Sequence, residues 1–594
     1  MIDGSLLTTS GINSLINQYE TVQRQRRISP LEKQKSAYKN KSSAYSSLSS
    51  KLDSFKTVLY NFKQTGSSSE FLYKTASSSD ESFVKASATT SAGIGTYNLR
   101  VTQLAKSDIV ISKDIDTSST SANSLGITDG TYKFQIKTGD GSTGEYTANV
   151  EVDLNTADTN EEVMEAIRDA INSDKAIITS TAKSGTYSGG STSFDIDING
   201  TTTTISDSGG GTYEDLIDRL VSSINSDVDG VTAEKVTSGS SFQLKLTVDN
   251  TNNYISITHN SGFDLVSDLN ISATKEKAAS GIVSASVYSP ATGSSQFSIT
   301  SKNSGLDYRI KSLSDTSGTA LNVLGLNLGT SRPTYDQSTS PDTPGFLYAD
   351  TTSSGNKLNA KITFNGVSVQ RNSNTISDLA TGVTFELKSV MQSTDNDVVV
   401  GVDADITKIK EKLQDFIDKF NDVYSYIKNN SLSDNGVRGP FIGDPLTSTL
   451  RTKMTNTAYG TVSGLPSGAI DSLAEVGITF STDVGLTISD DTALEDAIKN
   501  KNDELESLFN SSNGIANSLY DLIDPYLGSA GYITNRQDSY DSNVTYLNDR
   551  IESIQKSIDK SSENLRKKYE QMQNQLIILL SSQSFMNSIG GGFF

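Results

Sequence analysis

The 594-residue chain has no cysteine, no tryptophan, one histidine and only nine prolines. Without cysteine there are no disulfides and no thiolate metal sites, and the redox compartment stays undecided. A single histidine excludes histidine-rich metal centres and mechanisms that need two imidazoles. The longest aliphatic run, Leu576 to Leu580, is far too short to cross a bilayer. No basic segment precedes the first apolar residues, so no cleaved secretory signal is expected. Positive charge is also in deficit: 50 Lys and Arg against 70 Asp and Glu leave a net charge of −20. That balance argues against a general nucleic-acid binder. The cluster Arg24, Arg26, Arg27 has no aromatic or glycine company and reads as a solvated basic stretch.

Motifs for chemistry are missing as well. There is no GxxxxGK[ST], GxSxG or HExxH. His259 lies in the alternating stretch Tyr254, Ile255, Ile257, His259 and fits an ordinary strand position. Asp195, Asp197, Asn199 and Gly200 match the first half of a calcium loop. Ser206 stands where the bidentate glutamate belongs, and Phe194, Ile196 and Ile198 alternate like a strand. Asp395, Asp397, Asp403 and Asp405 fit a solvated strand–loop edge. No catalytic, cofactor-binding or metal-binding residue is assigned, and no cofactor or enzymatic activity is expected.

What the chain does have is two long apolar stripes, one at each end. Near the C-terminus Val544, Leu547, Ile551, Ile554 and Ile558 alternate in steps of three and four. Ser561 takes the next position, and the stripe resumes through Leu565, Tyr569, Met572 and Leu576. Two consecutive four-residue steps at Leu565–Tyr569 form a stutter that locally unwinds a supercoil. No proline or glycine interrupts Tyr540 to Leu580, so a helix of about 60 Å follows. Near the N-terminus Leu31, Tyr38, Tyr45, Leu52 and Leu59 recur every seven residues, and Leu48, Phe55 and Phe62 widen the stripe. Ser29 and Pro30 suit an N-cap and a first helical turn. A 3.5-residue period is what helices need to keep one seam on a partner. Ordinary amphipathic helices on a globular core would show part of this pattern. Matched stripes at opposite ends favour a coiled-coil stalk with the rest of the chain looped out.

Between about residues 70 and 400, Ser, Thr, Gly and Asp dominate, and alternating segments such as Gly95 to Ala105 and Lys361 to Gln370 read as strands. One repeat stands out: Thr159 to Asp174 aligns without gaps on Thr212 to Asp227, each with a threonine cap and each ending Ile-Asn-Ser-Asp. Two successive β-hairpin-plus-helix units follow from this. Asn123 to Ile127 and Asn322 to Leu326 form a weaker echo. From Asp403 the pattern is helical again, with a hairpin near Asp483 to Gly485. The expected fold class is α+β and multidomain: a terminal α-helical coiled-coil stalk or leg with inserted β-rich head domains. The expected divisions are 1–75 and 531–594 for the stalk helices and 403–530 for a helical leg domain with its hairpin. An inner head is expected at 76–125 and 345–402, with an outer head insert carrying the repeat at 126–344.

Several segments in this order resemble one family. They are GINSLINQYETVQRQRRISPLEKQK, GTYNLRVTQLAKS, ITFNGVSVQRNSNTISDLATGVTFELK, FIDKFNDVYSYI, GPFIGDPLTSTLR, LAEVGITFSTDVGLTISDDTALEDAI and the closing YLNDRIESIQKSIDKSSENLRKKYEQMQNQL. The chain outside roughly 130–340 is thereby similar to the flagellar filament cap family, also called flagellar hook-associated protein 2. The long head insert and the terminal Ile589-Gly-Gly-Gly-Phe-Phe594 depart from the family pattern. The resemblance implies a ring-like homo-oligomer of about five subunits at the flagellar tip, in keeping with closed symmetry. It implies helical legs, β-rich heads, and retention and folding of flagellin arriving at the tip. Flagellin, the hook–filament junction proteins and an export chaperone are the implied partners, with no nucleic acid and no membrane insertion. Location outside the cell, after flagellar type III export, is implied too. The alternatives are a hook–filament junction or flagellin-like subunit, or a surface adhesin or carbohydrate-binding protein.

Overall fold

The computed structural model describes residues 8–434 and 437–590; of the stretch Ile589–Phe594, the last four residues lie outside the described ones. The chain falls into two units. One gathers Met1–Thr75 and Asp403–Phe594, with Thr89–Ser91; the other holds Ala76–Ala88 and Ala92–Val402. The first is mainly helical and the second mainly β, so the fold is mixed.

In the terminal unit two helices lead the chain, Thr9–Arg27 and Ser29–Phe62. Pro30 has no N–H and removes one rung between them. Ile28 nevertheless keeps helical dihedrals, and its carbonyl accepts the Glu32 N–H at 3.0 Å. Ser29 is therefore a helical residue and makes no cap, contrary to the sequence expectation, because the backbone never leaves the helical region there. Leu48, Leu52, Phe55, Leu59 and Phe62 face a shared core with Phe416 and Phe420 of the helix Ile406–Asn430 and Phe509 of Asn502–Asn510. Ring centroids lie 5.7 Å apart for Phe55–Phe416 and 5.1 Å for Phe62–Phe509. Each fully buried side chain of this kind contributes about 1.5–3 kcal/mol. The chain ends in one 59-residue helix, Tyr532–Gly590, about 90 Å long at the usual rise.

The inserted unit contains three apolar cores. The first belongs to the strands at 84–105 and 360–402, including a five-stranded sheet in which Gly95–Gln103 lies between Val398–Ala404 and Ala360–Phe364. The other two cores belong to the repeat, and the repeat is much larger than its helices. The inner copy runs through the strand Ser107–Ile111, the hairpin Gly130–Gly139 with Glu145–Leu154, and the helix Asn160–Ser173. It continues after a gap with the hairpin Val283–Ala291 and Ser294–Ser304, the strand Ile310–Ser317 and the short helix Ala320–Val323. The outer copy has the same elements in the same order. They are Ile177–Thr179, Thr192–Ile198 with Thr201–Asp207, Tyr213–Asp227, Val231–Ser238 with Ser241–Val248, Tyr254–Gly262 and Leu265–Leu269.

All of the outer copy lies between the helix and the second hairpin of the inner one. The two units are nested, not successive. Only the helices share a recognisable sequence, since on the strands the shared feature is backbone pairing, which many Ser/Thr-rich sequences satisfy.

Matched contacts fix the equivalence. Both helices carry a capping box, with Glu162 and Asp215 three residues after their threonines answering the cap. Asn172 exchanges two hydrogen bonds with the backbone of Ala285, at 2.8 and 2.9 Å, as Asn225 does with Ala233 at 2.9 and 2.8 Å. After each short helix a left-handed residue turns the chain, Gly325 at φ 76° in one copy and Asn270 at φ 54° in the other. The counterpart of Asn322–Leu326 is thus 267–271 and not the Asn123 stretch. Each copy builds a three-stranded sheet, and the strand Ala273–Lys277 joins them into seven strands.

Candidate functional site

His259, Asp195 and Asp197 have local partners in the fold. His259 lies on the strand Tyr254–Gly262, and its Nδ1 is 3.7 Å from a carboxylate oxygen of Asp264, which caps the next short helix. Asp195 accepts the Thr204 hydroxyl at 2.7 Å, and Asp197 accepts the Gly200 N–H at 2.8 Å. Both carboxylates brace a β-hairpin and do not converge as a calcium loop would. Among the described residues, no three His, Cys, Asp or Glu side chains cluster as metal ligands.

The apolar stripes offer more. On the long helix Leu547 and Ile558 are buried, and Val544, Ile551, Ile554, Leu565, Tyr569 and Leu576 are half-buried. Met572 is 44% exposed. On the N-terminal side Leu31 and Tyr38 are half-buried, whereas Tyr45, Leu52 and Leu59 are fully buried. Those three line the multi-helix core, so this half of the stripe is a core wall and not a two-helix seam. The fully apolar face there is wide enough to take several neighbours at once, which a heptad count does not reveal.

Contacts between the two ends are nonetheless direct. The Tyr540 ring stacks on Tyr38 at 5.8 Å and on Tyr45 at 6.1 Å. Arg566 donates to the Asn13 side-chain oxygen at 2.6 Å. Ile12 and Ile16 of the first helix are buried. Beyond Ile558 the buried position is Ser562, not Ser561. A straight helix drifts by about 20° per heptad from a 3.5-residue seam, so a four-residue step restores the contact. The Ser562 hydroxyl is buried and has no hydrogen-bond partner.

Tyr45 anchors the same region. Its hydroxyl donates to Asp444 at 2.5 Å, and the other Asp444 oxygen accepts the Leu446 N–H at 2.9 Å, capping the helix Pro445–Tyr459. Burial, and then the Asp444 carboxylate, push the Tyr45 hydroxyl well above the ordinary tyrosine range, so it stays a donor. Sequence reasoning missed Tyr540 and Asp444 as partners. Tyr540 stands one four-residue step before Val544 and could have been read as part of the stripe. Nothing in the sequence links Asp444 to Tyr45, which are 399 residues apart.

The far end of the long helix is different. Ile577, Ile578, Leu579, Leu580, Phe585 and Met586 are all exposed, Ile578 by 64%. Five aliphatic residues in succession cover every side of a helix, so no single stripe can bury them.

Sequence profiles of flagellar hook-associated protein 2 match at both ends: the N-terminal one over residues 10–108 and the C-terminal one over 358–578. Together they cover more than half of the chain. The chain belongs to the flagellar hook-associated protein 2 family. The A-type flagellar hook-associated protein 2 of Pseudomonas aeruginosa is 26% identical over 362 residues, 59% of this chain and 71% of that protein. The flagellar hook-associated protein 2 of Salmonella typhimurium is 24% identical, over 40% of this chain and 53% of its own length. Among solved structures, the D1-D2-D3 domains of the flagellar cap protein from Escherichia coli align with a TM-score of 0.47 and 20% identity. That alignment covers 84% of this chain and 99% of the other. The family matches flank residues 109–357, where the nested copies lie.

Proposed function

We propose that this chain caps the bacterial flagellar filament at its distal tip, outside the cell, as a homo-oligomer seated on flagellin. It is a structural protein. It retains exported flagellin and promotes its folding into the growing filament. The observation that carries this reading is the pair of family matches at 10–108 and 358–578, which fall on the terminal helical unit and on the strands at 84–105 and 360–402 of the inserted unit. Neither the junction-protein reading nor the adhesin reading has a comparable observation behind it.

In this proposal the terminal helices form the stalk. The seam residues that a single chain leaves partly open, Val544, Ile551, Ile554, Leu565, Tyr569, Met572 and Leu576, meet neighbouring subunits in a ring of about five. The exposed run Ile577–Leu580 deepens the same contact. Hook–filament junction proteins and an export chaperone are the other partners proposed. Among the described residues no helix is long and apolar enough to cross a membrane.

The test is a deletion strain complemented with the full chain. Loss of filaments with flagellin released into the medium, both reversed by complementation, is the expected outcome. Normal filaments in the deletion strain would overturn the assignment.

A further inference from the structure

The nested copies differ at one place where their equivalence predicts sameness. In each, a buried serine ends the first strand and ties it to the second hairpin. The Ser112 N–H reaches the Phe297 carbonyl at 2.8 Å, and its hydroxyl accepts the Phe297 N–H at 2.9 Å. The Ser180 N–H reaches the Leu244 carbonyl at 2.8 Å, and its hydroxyl accepts the Leu244 N–H at 2.8 Å. Counting back from these serines, Ile177 corresponds to Ile109 and Thr179 to Ile111.

In the inner copy the strand Ser107–Ile111 is covered on both edges. Ser294–Ser304 takes one, and Gly345–Phe346 takes the other, with Gly345 opposite Ile111 and Phe346 opposite Val110. The Leu347 N–H donates to the Ile109 carbonyl at 2.9 Å. In the outer copy Ile177–Thr179 pairs with Ser241–Val248 on one side and is the last strand of its sheet on the other. Its side chains are open too: Ile177 is 42% exposed and Thr179 is exposed. An open strand edge of this kind is a template for another chain.

The edge borders a cleft of about 900 Å³ between the two copies. That volume lies within the range of sites that hold a ligand of modest size. Lys133, Lys175 and Lys245 line it together with Glu151, Asp174 and Glu276. Lys133 pairs with Glu151 and Lys245 with Glu234, and burial holds Asp174 and Glu276 toward their neutral forms, so most of the lining presents no uncompensated charge and favours an uncharged occupant. The chain's own covering strand is engaged elsewhere. Phe346 is buried, and the Arg332 guanidinium, held by Asp108 at 2.9 Å, lies 3.8 Å over its ring.

We propose that the outer edge of Ile177–Thr179 is a docking site for an extended, uncharged peptide segment of a different protein, bound by strand addition. The segment takes the place that Gly345-Phe346-Leu347 holds in the inner copy. Its backbone pairs with the outward groups of Ile177 and Thr179, and a small residue followed by apolar ones fits the cleft.

The probe is a fluorescent peptide with the sequence of residues 343–349, Thr-Pro-Gly-Phe-Leu-Tyr-Ala, titrated against the full chain by anisotropy. One peptide is expected to bind per chain, slowing amide exchange at 177–179 and not at 109–111. Methylating the peptide nitrogen equivalent to that of Leu347 should weaken binding about tenfold or more, because one backbone bond is lost and a clash is added. Ile177→Pro and Thr179→Pro should do the same with an unchanged melting curve, since an outward-facing edge N–H is dispensable to the sheet. The methylated peptide needs no protein variant, so the test stands even if a proline variant misfolds. Absence of binding, equal binding of the methylated peptide, or protection elsewhere would overturn the proposal. So would protection of 177–179 that grows with protein concentration alone, which would mean that a second copy covers the edge.

Discussion

Asp174 sits where the chain leaves the inner copy for the outer one, and it should make that junction pH-sensitive. Its carboxylate accepts the Ala279 N–H at 2.6 Å, tying the outgoing segment to the returning one. Burial is the main cause that pushes its pKa from the ordinary 3.8 up to about 7, and the neighbouring carboxylates of Glu276 and Glu151 add to it. Burial raises Glu276 as well. Between those values the folded state holds a proton on Asp174 that the unfolded state has lost. The stabilisation is complete below pH 3.8, declines by about 1.4 kcal/mol for each further pH unit, and is gone above pH 7. From pH 5 to pH 8 the loss is about 3 kcal/mol. Asp174→Asn keeps an acceptor for the Ala279 N–H and removes the charge. Hydrogen-exchange protection of residues 176–273 should therefore fall for the parent between pH 5 and 8 and fall less steeply for the variant, which keeps only the Glu276 contribution. The variant, neutral at every pH, should exceed the parent by about 4 kcal/mol at pH 8. An equal pH slope in both proteins, or a variant weaker at pH 8, would refute the reasoning.

Asn172→Ala and Asn225→Ala remove equivalent pairs of hydrogen bonds and should each cost about 1–2 kcal/mol in urea unfolding followed by circular dichroism; a large effect at only one site would argue against the equivalence. Ser562→Ala deletes an unpartnered buried hydroxyl and should raise the stability of the terminal unit by about 1 kcal/mol, read as a higher urea midpoint. Ile558→Asp places a charge at a fully buried position and should cost about 3 kcal/mol or more, read as a lower urea midpoint of the terminal unit; an unchanged midpoint would show that the position is not buried in solution. Purified protein should speed flagellin polymerisation without added nucleotide, the drive coming from flagellin's own folding and packing, and a strict nucleotide requirement in a light-scattering assay would contradict this.

Much of the helical half was legible because a helix advertises its buried face locally. Ile409, Leu413, Phe416, Ile417 and Phe420 repeat at helical spacing, and all are buried in one helix. The break at Pro30 follows from its missing N–H. The same local rule overreached at Leu52 and Leu59. Periodicity states that a face is buried but not how many helices bury it, and here several do.

Sequence alone therefore determined the elements whose signals are carried within a few residues: the terminal helices, the two capped repeat helices and the strand-rich middle. Only the tertiary structure decided what depends on residues far apart in the chain. It closed the hydrogen bond between Tyr45 and Asp444, moved the buried position from Ser561 to Ser562, and placed one repeat inside the other. Nesting is invisible in sequence because pairing of Ser294–Ser304 with Ser107–Ile111 joins segments separated by the whole outer copy. Backbone hydrogen bonds make that pairing, and they carry almost no side-chain signature. The open edge at Ile177–Thr179 is the same kind of fact, since it rests on which strand lies beside it and not on the identity of its residues.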